Sequence, residues 1–289
     1  MTKEIFAILS CVPLYVVNSF CDKIVSSKEQ NRYNYFYNAV KFLICSICML
    51  PMLIFEKKPL FAVGSLFCGI CCGVMYAISK TIMLIGYEKT SVAFMTLCHS
   101  SGMILPCIIG HFFWSEKLNA ISVFGIMLAI LSIVLLKGGQ EKNKKINLMG
   151  AIFGIVIFLT SGGVMVSQKL MGIFFAEQSI SAYNFYSFAV SFLIICCFVR
   201  PKQIAGGEKK NKGLACVCAL GSAVSLCVIS FVMTGLSGKV PSVLIFPLFN
   251  GAGIIFVCIG SFFAFKEKLT VKKVFGLALG VIGLCLINL

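Results

Sequence analysis

Residues 90–136 and 241–287 align without a gap at a constant offset of 151, and 16 of the 47 positions are identical. The identities include Glu116-Lys117-Leu118 against Glu267-Lys268-Leu269 and Val123-Phe124-Gly125 against Val274-Phe275-Gly276. Both copies are almost wholly apolar. A duplicated apolar unit points to a membrane protein built from two related halves, a plan in which small-molecule transporters bind substrate between the repeats.

Composition agrees. The chain of 289 residues is 59% hydrophobic and 12% charged, against about 25% charge in soluble domains. The charge sits in short clusters between apolar runs of about 20 residues, long enough to cross a bilayer. The net charge of +15 is therefore no nucleic-acid footprint, because the lysines fall in segments such as KGGQEKNKKIN (137–147) and RPKQIAGGEKKNKG (200–213). Loop lysines of this kind orient a membrane protein beside anionic lipid. The expected partners are a small-molecule substrate and membrane lipid, with no nucleic acid, in a monomer or homodimer. Most of the 16 cysteines, such as Cys68, Cys71, Cys72, Cys107 and Cys258, lie in apolar runs, where a free thiol acts as a small hydrophobe. The pairs Cys45-x-x-Cys48 and Cys68-x-x-Cys71 lack a nearby histidine or carboxylate to complete a metal site, so neither a metal nor a cofactor is expected. The N-terminal stretch MTKEIFAILSCVPLYVVNSFC reads as a first membrane helix rather than a cleaved leader.

Ten spans are expected, at about 4–25, 36–55, 60–87, 90–114, 119–137, 147–169, 180–199, 213–237, 240–265 and 270–288. The polar run 138–146 divides them into an N-terminal five-helix unit (1–140) and a C-terminal one (141–289). An odd number of spans per unit forces opposite orientations on the two halves. The fold class is thus an all-α polytopic membrane protein of ten transmembrane helices in two inverted repeats. Asn18-Ser19-Phe20-Cys21-Asp22-Lys23 resembles Met165-Val166-Ser167-Gln168-Lys169, pairing spans one and six. Glycines such as Gly69, Gly73, Gly162 and Gly163 suit close helix packing in lipid, and Gly162-Gly163, after Thr160-Ser161, could instead mark a flexible or broken turn in span six.

The repeated EKL-x4-VFG-x2-L pattern (116–128 and 267–279), the segment SGGVMVSQKL (161–170) and the 5+5 organisation resemble the EamA-like, ten-helix branch of the drug/metabolite transporter superfamily. The resemblance covers essentially the whole chain. It implies a secondary transporter with no cofactor, in which spans one, three, four, six, eight and nine line a central cavity. It implies nothing about which solute is carried.

Polar side chains in mid-membrane are functional candidates because they are costly to place there. Lys80 lies about 12 Å of helix from the polar end of span three and could contact substrate, snorkel, or pair with Glu88 or Asp22. His99 in span four has Asn250 as its counterpart at the 151 offset, and the two are expected to face one another across the cavity. Thr96, one turn before His99, matches Pro247. Tyr76, Ser79, Asn18 and Gln168 complete the expected substrate-binding set, with Tyr15, Ser167 and the Ser230/Thr234 pair as further positions. Glu116 and Glu267 are expected to cap helices. No aspartate or glutamate lies in mid-span, and Asp22 and Glu88 come closest, near span ends, so no acid is expected to oppose Lys80 within the cavity.

These residues imply alternating-access transport of a small polar metabolite, anionic or zwitterionic, by efflux or exchange, in a bacterial cytoplasmic membrane. An intramembrane enzyme is disfavoured, because the two histidines form no HExxH motif and no paired mid-span aspartates occur. A sensor or assembly subunit without flux and a lipid-carrier flippase are the alternatives. Loops after odd-numbered spans hold 17 Lys/Arg, against six at the termini and the other loops. The positive-inside rule then puts both termini outside, whereas the family resemblance implies both inside.

Overall fold

The computed structural model describes residues 2–26, 34–89, 92–116, 119–137, 148–199, 209–265 and 271–287. Every regular element among them is an α-helix: α1 (Thr2–Ser10), α2 (Val12–Ser26), α3 (Asn34–Glu56), α4 (Val63–Lys89), α5 (Val92–Ser101), α6 (Ile104–Phe113), α7 (Ala120–Lys137), α8 (Leu148–Phe174), α9 (Ile180–Cys196), α10 (Lys209–Ser237), α11 (Ser242–Phe265) and α12 (Val271–Ile287). Each expected span coincides with helix. Spans one and four are each divided in two, into α1 with α2 and α5 with α6.

Six segments are long and apolar enough to cross a membrane: 2–25, 35–56, 63–83, 148–174, 213–237 and 242–260. Four more are shorter apolar stretches, at 98–113, 120–132, 180–196 and 274–283. Large apolar side chains point outward along them, including Phe55, Phe67, Phe113 and Phe256. In water such a surface would drive association, whereas in hydrocarbon it is the solvated face. Inside, one core gathers Met103, Cys107, Val243, Phe246 and Ile254 around α11, and a second joins Phe42, Met49, Phe188 and Cys227.

The packing repeats the duplication of the sequence. α8 lies on α4 and α5, and their counterparts pair in the same way, α2 on α10 and α11. α9 lies on α4 as α3 lies on α10, and α5 meets α7 as α11 meets α12. The pairs α3–α9 and α7–α12 map onto themselves, the latter tied by Ser132 Oγ donating to the Gly276 carbonyl at 2.6 Å.

Two glycines of α4 make its approach to α9 possible. A Cβ on Gly69 would sit 2.8 Å from the Tyr183 carbonyl oxygen, and one on Gly73 2.6 Å from that of Ser187. Gly162-Gly163 behave otherwise than the sequence suggests, since α8 runs through them without a break. The interruption lies opposite, at Gly102-Met103 between α5 and α6. A Cβ on Gly162 would stand 2.7 Å from the Gly102 carbonyl oxygen. Gly162 is thus small to admit the elbow of span four rather than to bend its own helix.

Candidate functional site

Two charged clusters sit at opposite ends of α3. Near its start, Lys41 is 1% exposed and its Nζ donates to Asn18 Oδ1 at 2.7 Å and to Asp22 Oδ1 at 3.2 Å. Asn18 and Asp22 are four residues apart on α2 and so share a face. Tyr37, one turn before Lys41, donates its hydroxyl to Asp22 Oδ1 at 2.6 Å, and its ring lies 5.7 Å from the Lys41 ammonium. Ser222 of α10 donates to Asn18 Oδ1 as well. A buried lysine needs such a set, because an unpaired charge costs several kcal/mol in a low-dielectric interior.

Lys80 of α4 completes this cluster. It is half-buried and within electrostatic range of both Asp22 and Lys41. Among the described residues its ammonium has no hydrogen-bond acceptor. Of the two carboxylates considered as partners for Lys80, Asp22, four residues before the end of α2, belongs to the same cluster and keeps 36% of its side chain accessible. Glu88, the other proposed partner, has a side chain outside the described residues.

At the far end stands a second ion pair. Glu116 Oε1 meets Lys169 Nζ at 2.7 Å, with the two side chains 11% and 3% exposed. Lys169 also donates to the Val240 carbonyl at 2.7 Å. Glu116 Oε2 accepts the backbone N–H of Ser242, the first residue of α11, at 2.7 Å. Ser115, in the left-handed region with φ 54°, turns the chain so that Glu116 N–H returns to the Gly110 carbonyl at 3.0 Å. Glu116 therefore does cap a helix, but that helix is α11 of the other half, where its charge complements the N-terminal dipole. Its counterpart Glu267 lies outside the described residues. At the same end Glu56, the last residue of α3, accepts from Ser179 Oγ at 2.5 Å and Ser181 Oγ at 2.9 Å, at the N-terminus of α9.

Between the two ends runs a track of polar side chains. Tyr76 lies one turn before Lys80, packed on Phe42 and Phe188, and beside Ser230. Ser230 Oγ donates to Asn184 Oδ1 at 2.6 Å and accepts from Gln168 Nε2 at 3.5 Å. Ser237 Oγ donates to the Gln168 carbonyl at 2.7 Å, one residue from Lys169. Ser222, Ser230 and Ser237 lie on one side of α10 and span 15 residues of it, about 22 Å of rise.

Of the expected set, Asn18 and Lys80 join the first cluster, and Tyr76 and Gln168 the track. His99 is half-buried at the end of α5, just before the elbow, and its carbonyl accepts from Ser161 Oγ at 2.9 Å and from Gly102 N–H at 3.3 Å. Asn250 is buried and donates to the Phe246 carbonyl of its own helix at 2.9 Å. That bond occupies one amide N–H within its own helix. Ser79 Oγ, like Thr81 Oγ1 and Thr234 Oγ1, is buried without a partner among the described residues. The Thr96 side chain lies outside the described residues. α11 continues through Pro247, so only span four is interrupted at this depth. Tyr15 stacks edge-on to Phe249, and Ser167 donates to the Cys68 carbonyl at 2.9 Å.

The sequence reading missed Lys41, Lys169 and Asn184. Lys41 stood in plain view as the one charge in NYFYNAVKFLICSICML. Its partners Asn18 and Asp22 already showed the spacing of a shared helix face.

An all-helical bundle with an apolar exterior, a polar interior and six segments long and apolar enough to cross a bilayer has the make-up of an integral membrane protein. Residues 2–137, just under half of the chain, match the model of the EamA-like transporter family. A stretch of 82 residues is 29% identical to "Uncharacterized transporter YxxF" of Bacillus subtilis (strain 168), covering 28% of this chain and 26% of that one. A solved protein crystal structure overlays with a TM-score of 0.80 at 11% identity, over 99% of this chain and 98% of the other, which shows a shared fold.

Proposed function

We propose that the chain is a ten-span secondary transporter of two inverted five-helix units, moving a small anionic or zwitterionic metabolite by alternating access, as an exporter or exchanger in a cytoplasmic membrane. The observation that carries this is the polar track. Hydroxyls and amides on α4, α8, α9 and α10 connect the Asp22/Lys41/Lys80 cluster at one end with Glu116–Lys169 at the other, inside a bundle whose exterior is apolar. Burying that many polar groups in hydrocarbon is costly, and a structural scaffold would gain nothing from aligning them.

The two ends differ in a way that fits one state of such a cycle. At the Glu116 end, carboxylates of the first half hold the N-termini of two helices of the second half, and the pair is nearly inaccessible. At the Asp22 end the acid remains accessible. Rocking of one half on the other about the Gly102–Gly162 contact would exchange the two conditions. The matched packing of the halves supports the inverted arrangement.

The test is flux. Proteoliposomes loaded with a mixed extract of small metabolites are expected to release at least one organic anion or zwitterion faster than protein-free vesicles. Release indistinguishable from protein-free vesicles for every solute would sink the proposal. A reporter fused to the C-terminus decides which end faces the cytoplasm.

A further inference from the structure

We infer that the seam between α3 and α10 is the one that slides when the bundle changes state, while its repeat-related counterpart, the seam between α4 and α9, stays fixed. This rests on the reading of a bundle that alternates between two states, and it names the surface on which the motion occurs. The duplication relates the two seams. Ala39-Val40-Lys41-Phe42-Leu43-Ile44 of α3 reads against Ala189-Val190-Ser191-Phe192-Leu193-Ile194 of α9 with five of six positions identical, and α10 is the counterpart of α4. Equal seams would give way equally, and these two are built differently.

The α4–α9 seam is keyed. Ser191 Oγ donates across it to the Gly73 carbonyl at 2.9 Å. Ser65 Oγ of α4 donates to the carbonyl of Ser179, which caps α9, at 3.1 Å. The Tyr186 hydroxyl donates to the Leu60 carbonyl, just before α4, at 3.3 Å. Gly69 and Gly73 also admit the Tyr183 and Ser187 carbonyls, which a Cβ would meet at 2.8 and 2.6 Å. Sliding would carry a neighbouring Cβ of α4 into those carbonyls.

At the α3–α10 seam those keys are replaced. The counterpart of Ser191 is Lys41, whose ammonium turns to Asn18 and Asp22 of α2 instead. The counterparts of Gly69 and Gly73 at the 151 offset are Leu220 and Val224, which point outward. Toward α3, α10 presents Ala219, Ala223 and Cys227, one turn apart and all buried. The bonds across this seam come from thiols: Cys45 Sγ donates to the Ala223 carbonyl and Cys227 Sγ to the Cys45 carbonyl, each at 3.6 Å. A thiol is a weak donor and otherwise packs as a small hydrophobe. The firmer bonds of each helix run elsewhere. α10 is held to α9 through Ser230 and Asn184, and to α8 through Ser237 and the Gln168 carbonyl. α3 is held to α2 through Lys41 and Tyr37. α10 therefore travels with α8 and α9, and α3 with α2, and the slide releases Ser222 from Asn18. Small sliding of packed helices is an ordinary mode of domain motion. The keyed seam adjoins the Gly102–Gly162 contact, since a Cβ on Gly163 would stand 3.3 Å from Met75 Sδ of α4. Contacts beside a pivot persist, and those across the bundle from it move.

The experiment uses the full-length protein in lipid nanodiscs, with spin labels on genetically encoded keto side chains that leave the 16 cysteines in place. Labels at Ile47 of α3 and Val217 of α10 report the first seam, and labels at Ile70 of α4 and Leu193 of α9 report the second. All four side chains are exposed and lie off the seams themselves. Distances are read by double electron–electron resonance in wild type and in Lys169→Met, which removes the cation that closes one end, with Glu116→Gln in its place if Lys169→Met does not fold. The Ile47–Val217 distance is expected to change by about 3 Å or more, roughly half the pitch of a helix, and the Ile70–Leu193 distance by under about 1 Å. A first pair that stays put in the variant, or a second pair that moves as far as the first, overturns the proposal. Neither distance depends on a solute. Movement as expected without flux of any solute keeps the sliding seam and removes the transporter reading, and flux with both seams moving equally does the reverse.

Discussion

Removing one member of the Glu116–Lys169 pair should open the end of the bundle that it closes. The pair is 2.7 Å long, nearly inaccessible, and joins the first half of the chain to the second. In Lys169→Met the Glu116 carboxylate keeps the Ser242 N–H but loses its cation. Breaking a buried pair in this way costs about 3–5 kcal/mol, and at about 1.4 kcal/mol per tenfold the lower figure already shifts an open–closed equilibrium by about 150-fold. If the contact were instead an ordinary interhelical hydrogen bond in a membrane, worth about 0.6 kcal/mol, the shift would be under about threefold. Cys107 of α6 is the reporter. It is buried beside this pair, with its thiol 3.6 Å from the Ser242 carbonyl. Its maleimide labelling, separated by peptide mass spectrometry from that of the other cysteines, should accelerate by about two orders of magnitude in Lys169→Met. The double variant Glu116→Gln/Lys169→Met should return most of the way to wild type, because the glutamine carbonyl can still accept from Ser242 and no charge is left stranded. Emission of Trp114, the only tryptophan, should shift in parallel. Labelling of Cys107 within threefold of wild type in a folded Lys169→Met protein, or no recovery in the double variant, would refute the reasoning.

Two further predictions concern the frame that holds the site. Gly73→Ala places a methyl against the Ser187 carbonyl at 2.6 Å and should lower stability in detergent by about 1–3 kcal/mol. Gly213→Ala, where no neighbour comes within 4 Å, should be neutral or slightly stabilising, and equal melting of the two would discount the α4–α9 contact. Glu56→Gln removes the charge at the N-terminus of α9 and should cost about 0.5–2 kcal/mol, measured as a lower melting temperature. An unchanged melt would mean that Ser179 alone, through its bond to Ala182 N–H at 3.0 Å, caps the helix.

How far the residues themselves announced this structure depends on which interaction is asked about. The apolar helices were legible because a helix needs a fixed length of apolar sequence to cross hydrocarbon, and the duplication was legible because its ungapped offset survived in 16 positions. The small-residue contacts at Gly69 and Gly73 were visible for the same local reason. Partnerships across the bundle were not. Glu116 was readable as a cap from its place before a helix, yet the helix it caps begins 126 residues later, at Ser242. Asp22 looked like a helix-end charge until α3 brought Lys41 and Tyr37 against it. Symmetry also misled. The offset that relates His99 to Asn250 is real, but the elbow at Gly102-Met103 has no equivalent in α11, so the two halves differ locally where the sequence suggested equivalent polar positions.

The one-sided stitching of the closed end has a consequence for how the chain is made. Both carboxylates there, Glu56 and Glu116, are synthesised with the first half, whereas Ser179, Ser181, Lys169 and Ser242 emerge later. Because chains are built and begin to organise from the N-terminus, the newborn first half must carry both acids without these partners until translation has passed residues 169 to 181, and Glu116 lacks the Ser242 N–H until residue 242 is made. That half is an unfinished half-shell with a preference for the aqueous boundary, which keeps Glu56 and Glu116 at the surface. Lys169 and the N-terminus of α11 then supply the cation and the N–H that Glu116 holds in the finished bundle.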